Sequence, residues 1–240
     1  TTGRHFAAPG KEKLLPPDHA VKIQPYKTIL QLAQDEYIVQ KSRFLTQAMP
    51  VKTEEDALAF IRGIRQQHPQ ASHNCYAYII GANSGLMRYS DDGEPSGTAG
   101  QPMMSVLQAK DLVDICVVVT RYFGGVLLGA GGLVRAYSTS CARAVDQSTV
   151  IQMDVTYRLT MDVPYALWDR LQHYIKNQQQ DVQLETVEYG ASVNAQLLVK
   201  EQNLAKVQKE IVDLLNRDEG ITLSDPFIHY WPIAAAGHTF

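Results

Sequence analysis

Val155-Thr-Tyr-Arg-Leu-Thr-Met-Asp-Val163 alternates apolar and polar residues without a break. Side chains leave a strand on opposite faces in turn, so Val155, Tyr157, Leu159, Met161 and Val163 share one buried face. Pro164 then suits the first position of a helix whose inward residues are Leu167, Leu171, Tyr174 and Ile175. Two strands follow, at about 182–188 and 192–199, joined at Tyr189-Gly190-Ala191. Asn203 caps a second helix, with Leu204, Val207, Ile211, Leu214 and Leu215 inward and Gly220 at its end. A strand at 221–223 closes the series.

That order, β-α-β-β-α-β, is ferredoxin-like. It defines a C-terminal domain over 151–240, with a tail at 225–240 whose Phe227, Tyr230, Trp231 and Phe240 are expected to pack back onto the protein. Upstream, 27–150 form another domain. Strands are expected at 28–32, 44–51, 75–80, 86–89 and 115–120, the last a β-branched run suited to the centre of a sheet. Thr53 caps a helix with Ala57, Phe60, Ile61 and Ile64 inward, stopped at His68-Pro69. A helix of about two turns is expected at 103–109, and another after Gly132 with Val134, Tyr137, Cys141 and Ala144 as its apolar stripe. The fold class is α+β. Residues 1–26, with Pro9, Pro16, Pro17 and Pro25 and no apolar period, read as an extended or disordered leader.

Composition narrows the function. Net charge is −3. Residues 27–147 carry 11 Lys+Arg against 11 Asp+Glu, and 148–240 carry 7 against 12, a net of −5. A wholly basic nucleic-acid module is therefore excluded, and any RNA contact has to come from a local patch. No apolar run approaches the roughly 20 residues that span a bilayer, and no signal peptide is visible, so a cytoplasmic protein without membrane contact is expected. Cys75, Cys116 and Cys141 form no CxxC pair and read as buried, inert thiols.

Two segments carry unusual chemistry: Ser90-Asp-Asp-Gly-Glu-Pro-Ser-Gly-Thr-Ala-Gly-Gln-Pro102 and Arg121-Tyr-Phe-Gly-Gly-Val-Leu-Leu-Gly-Ala-Gly-Gly-Leu-Val-Arg-Ala-Tyr137. Each runs from a strand through small residues into a helix, where free amides and the helix dipole favour an anion. Glycines also serve tight turns and close packing, and neither segment fits a nucleotide-loop motif. Asp91, Asp92 and Glu94 can act as acid–base groups or magnesium ligands, or simply shape a turn and pair with Arg121 or Arg135. His73 is a candidate base or a backbone-bonded strand residue. No Ser or Cys has the setting of an activated nucleophile.

These segments, with Lys41-Ser-Arg-Phe44 and His73-Asn-Cys75, closely resemble the YigZ/IMPACT family over 27–147, and 151–223 resemble the small C-terminal domain of its bacterial members. The resemblance implies a first domain like domain 2 of ribosomal protein S5, and a pair similar to domains IV and V of elongation factor G. Eukaryotic members restrain the amino-acid-starvation kinase by binding its ribosome-associated activator. The function expected here is that of a non-catalytic, translation-associated regulator that binds RNA, the ribosome or a translational protein, with no DNA and no cofactor or metal. The expected ligand-binding residues are Lys41, Arg43, His73, Asp91, Asp92, Glu94, Gly97, Thr98, Arg121, Gly124, Gly125, Gly129, Gly131, Gly132 and Arg135. Two alternatives stand beside it: an enzyme acting on a phosphate-containing small molecule through Asp91, Asp92 and Glu94, and an interaction scaffold built on the C-terminal domain.

Overall fold

The computed structural model of the chain describes residues 24–81, 85–217 and 219–232. Residues 1–23 of the expected leader, and Phe240 of the tail, lie outside them. The described chain forms two compact units, one of residues 24–154 with 229–232 and one of residues 155–228.

In chain order the first unit contains β1 (Tyr26–Ile29), β2 (Ala33–Val39), β3 (Ser42–Pro50), α1 (Glu54–Gln67), β4 (His73–Ile80), β5 (Leu86–Ser90), α2 (Gly100–Ala109), β6 (Ile115–Tyr122) and α3 (Gly129–Asp146). Five strands make a sheet in the order β2-β3-β6-β4-β5, every neighbouring pair antiparallel. β1 pairs with residues 150–153 of β7 (Val150–Val163). β6 lies at the sheet's centre, as its β-branched run requires, because both of its faces are covered. Val117 and Val119 pack with Ala77, Met103, Leu107, Tyr137 and Cys141 under α2 and α3. Cys116 and Val118 pack with Ala57, Ile61, Ile64 and Tyr78 under α1. Thr53 and Asp56 close a reciprocal capping box at the start of α1.

Two local readings change, at β2 and at α3, and the reading of the thiols holds. β2 was not expected, because a carboxylate sits at one of its inward positions. Asp35 faces α3, where Arg143 (2.7 and 3.2 Å) and Gln147 (2.8 Å) donate to it. The Arg143 hydrogen bond holds the Asp35 carboxyl below the usual carboxylate range. α3 begins at Gly129, inside the glycine run rather than after it, and its buried face uses Leu133 while Val134 is exposed. The three thiols are buried, and burial pushes Cys75 and Cys141 up to about 12.

The second unit contains residues 155–163 of β7, α4 (Tyr165–Asn177), β8 (Val182–Tyr189), β9 (Val193–Lys200), α5 (Leu204–Leu215) and β10 (Ile221–Leu223). Its sheet order is β10-β7-β9-β8, again antiparallel. All five alternating residues of 155–163 are buried, against Leu171, Val207 and Ile211 of the two helices. Pro164 is the N-cap of α4 rather than its first residue; Leu167 and Tyr174 pack half-buried against the core as expected, and Trp168 is buried beside them. Asn203 makes no side-chain cap on α5, which ends at Asn216 in the left-handed region (φ 52°) instead of at Gly220. Of the tail aromatics, Trp231 in β11 (Phe227–Pro232) is buried, and Phe227 lies under the guanidinium of Arg158.

One glycine fixes how the end of β6 meets the β2–β3 turn. A Cβ on Gly124 would land inside the backbone of Lys41 and Ser42, whereas one on Gly131 would meet open space. Gly124→Ala is therefore expected to cost about 2–3 kcal/mol, and Gly131→Ala to be neutral or to stabilise by up to about 1 kcal/mol. Urea denaturation of the two variants checks the contrast.

Candidate functional site

Strand register assembles the site. Arg121 near the end of β6 pairs with Phe44 on β3 and with His73 at the start of β4. Cross-strand partners in an antiparallel sheet project from the same face. The row His73–Arg121–Phe44 therefore points to the α2/α3 side, just where the chain leaves β6 for the glycine loop and α3.

Glu94 descends onto this row. Its Oε1 accepts from Arg121 Nη1 (2.6 Å) and from the Tyr137 hydroxyl of α3 (2.7 Å). The Arg121 and Glu94 side chains are 6% and 3% exposed, so the pair is withdrawn from water and screened little by salt. Phe44 and Phe123 cover the guanidinium, each ring centroid 5.5 Å from Cζ. Burial pushes the Tyr137 hydroxyl far above its ordinary range, keeping it a donor to Glu94.

The rest of the acidic segment has internal work. Asp91 accepts the amides of Gly97 (2.8 Å), Ala99 (3.0 Å) and Gly100 (2.9 Å), capping α2 from within. Those three amides, offered by the sequence to an outside phosphate, are taken by the chain's own carboxylate. Thr98 donates back to the Pro95 carbonyl (2.6 Å). Asp92 accepts from the Asn74 amide (2.6 Å) and from Arg65 of α1 (2.6 Å), and its carbonyl accepts from His73 Nδ1 (2.8 Å). Asp91, Asp92 and Glu94 thus point to three separate sets of partners, and among the described residues no cluster of three or more His, Cys, Asp or Glu is placed to hold a metal ion.

The other candidates divide. Arg43 pairs in register with Tyr122, so it leaves the sheet on the opposite face from Arg121, where it binds Glu36 (2.7 Å) and stacks on Tyr122. Lys41 is exposed in the β2–β3 turn against Gly124. Arg135 is exposed on α3, outside the cavity formed by the row and the glycine loop. The expected arginine cluster therefore gives way to one buried arginine with its own carboxylate. Gly125, Gly129, Gly131 and Gly132 form the loop and the first turn of α3, which no side chain caps.

Around the row is a cavity of about 470 Å³, lined by Ser72, His73, Gly93, Glu94, Pro95, Arg121, Phe123, Leu127, Leu128, Gly129, Ala130 and Leu133. Its apolar wall escaped the sequence reading, which followed glycines and charges. One signal was available: Tyr137 sits on an apolar stripe, and a buried tyrosine hydroxyl needs a partner. The arrangement suits binding, with a charged, hydrogen-bonded floor under an apolar rim.

Residues 40–145, which include every residue lining this cavity, match the Impact N-terminal domain, and residues 161–216 match a domain of unknown function, DUF1949. The IMPACT family member YvyE of Bacillus subtilis is 36% identical over 194 residues, covering 81% of this chain and 88% of its own. The chain belongs to the IMPACT family. The IMPACT family member YigZ of Escherichia coli is 41% identical over 129 residues, 53% of this chain and 63% of its own. A crystal structure described as that of a hypothetical protein aligns with a TM-score of 0.54 at 28% identity, over 89% of this chain and 99% of that one. No helix among the described residues of this IMPACT member is long and apolar enough to cross a membrane.

If Asp91 serves as the internal cap of α2, Asp91→Ala strands three amides and is expected to cost about 3 kcal/mol or more. A chemical-denaturation midpoint unchanged from the parent would show that the carboxylate is free for other work.

Proposed function

We propose that this chain is a translation-associated regulator that acts by binding, and that it grips a protein component of the translation apparatus through the loop and helix start at 121–132. Family membership supports the translational setting. The surface supports a protein partner: Leu127 is 84% exposed at the loop's tip, with Phe123 and Val126 beside it also open to solvent. Arg121, the charge the loop carries, is buried with Glu94 beneath that tip, and the surrounding stretch is charge-balanced, 11 against 11 over residues 27–147. The exposed cations near the loop are Lys41, in the turn against Gly124, and Arg135 on α3, fewer than a phosphate backbone engages, whereas an apolar tip over a buried ion pair fits an apolar anchor from a protein. The exposed Leu127 is the observation that carries the reading. In fold terms we assign the first unit to the S5-domain-2-like class and the second, whose sheet runs β10-β7-β9-β8, to the ferredoxin-like class.

Val126→Ser with Leu127→Asp tests the function, because both side chains lie on the surface and the buried pair keeps its Phe123 cover. The double variant is expected to lose co-sedimentation with the ribosomal fraction of a lysate, while the parent's co-sedimentation falls little as salt rises from 50 to about 200 mM. Retained co-sedimentation of the variant removes this surface from consideration. A steep loss of the parent's binding with salt points to RNA instead.

A further inference from the structure

The cavity at the start of α3 offers two unsatisfied poles. At one end lies Glu94, whose Oε1 already takes two donors. Its Oε2 faces His73 Nε2 at 3.7 Å, too far for a hydrogen bond, and has no other partner among the described residues. The Asp92 carbonyl accepts from His73 Nδ1, which leaves the lone pair of the neutral ring on Nε2. Two acceptors thus line the cavity side by side, and one of them belongs to a carboxylate side chain that is 3% exposed. Such a group calls for a donor, and a cationic one above all.

At the other end is the first turn of an 18-residue helix with no side-chain cap. The amides of Ala130 and Gly131 find no acceptor among the described residues, and the space over Gly129 and Gly131 is open. This pole attracts a carboxylate or a carbonyl oxygen. Between the poles the wall is apolar, from Phe123, Leu127, Leu128 and Leu133.

We infer that this cavity binds an amino-acid unit with an apolar side chain through its α-ammonium and its carboxyl or carbonyl oxygen, either a free amino acid or the first residue of a peptide. The ammonium sits between Glu94 Oε2 and His73 Nε2, the carboxyl oxygen meets the α3 amides, and the side chain lies against the leucines and Phe123. Charge matches as well. Arg121 balances Glu94 within the protein, so a neutral zwitterion adds no net charge to a partly buried site. The inference rests on the reading of this face as a binding surface, and it adds the chemistry of what is held there.

Calorimetric titration of the full chain with small probes separates the two claims, since it needs no ribosome. L-leucine and L-leucylglycine are the probes. N-acetyl-L-leucine, which lacks the ammonium, and 4-methylpentanoate, which lacks the amine altogether, are the controls. Binding of at least one probe is expected, with both controls weaker by roughly tenfold or more, as the loss of a charged hydrogen bond implies. Tighter binding of leucylglycine identifies a peptide end, and tighter binding of leucine a free amino acid. Gly131→Glu places a carboxylate over the α3 amides in open space, and is expected to remove binding while the fold is kept. Equal binding of probes and controls, unaltered binding by Gly131→Glu, or no binding at millimolar concentration overturns the inference. Co-sedimentation that persists in the last case leaves the translational reading standing.

Discussion

A carboxylate taken out of water sets the conditions for the first unit. Glu94 is brought into the protein by a loop, and an isolated ionised carboxylate there would cost several kcal/mol. Arg121 from the central strand and Tyr137 from α3 remove that cost by donating to the same oxygen. Three elements distant in sequence are thereby tied at one point: the acidic segment, the end of β6 and the middle of α3. Phe44 adds the fourth, meeting Tyr137 edge-on at 5.2 Å and lying across Arg121. A buried ion pair of this kind adds little net stability against an apolar equivalent, yet losing one partner is expensive. Its effect is to fix one arrangement of loop and helix.

That arrangement explains why the acidic and glycine segments look like ligand loops and behave differently. In the acidic segment, Asp91 turns inward and satisfies the start of α2, so the amides there serve the fold. In the glycine segment, Gly124 allows the backbone to press against Lys41 and Ser42, and Ser42 Oγ accepts the Gly124 amide at 3.2 Å. The loop is pinned at that end, while Leu127 and the uncapped start of α3 face outward. One loop is spent on structure; the other leaves Leu127 and the first turn of α3 open to solvent.

Much of the fold was legible from periodicity. The perfect alternation at 155–163 and the β-branched run at 115–120 each correspond to a strand with its apolar positions buried, Thr156 being buried as well. β2 was hidden because its inward carboxylate is answered by Arg143 and Gln147 from a helix more than a hundred residues away, a contact no local pattern contains. The same reason limits what was legible of the site. Glycines and charges marked the right loops, and resemblance marked the right family. Whether Arg121 reached solvent depended on the register between β3, β6 and β4, and that register turns Arg121 inward and Arg43 to the other face. Taken as charges alone, the two arginines belonged to one patch; pleating separated them.

The most direct measurement of this account is a double-mutant cycle on the central pair, with Glu94→Gln, Arg121→Met and the combined variant compared by urea denaturation. The account predicts that each single change is strongly destabilising and that the second costs little once the first is made, a coupling of about 2 kcal/mol or more. Single effects that add to within about 0.5 kcal/mol would contradict it, because the two side chains would then be independent and nothing at that point would tie the loop to the helix.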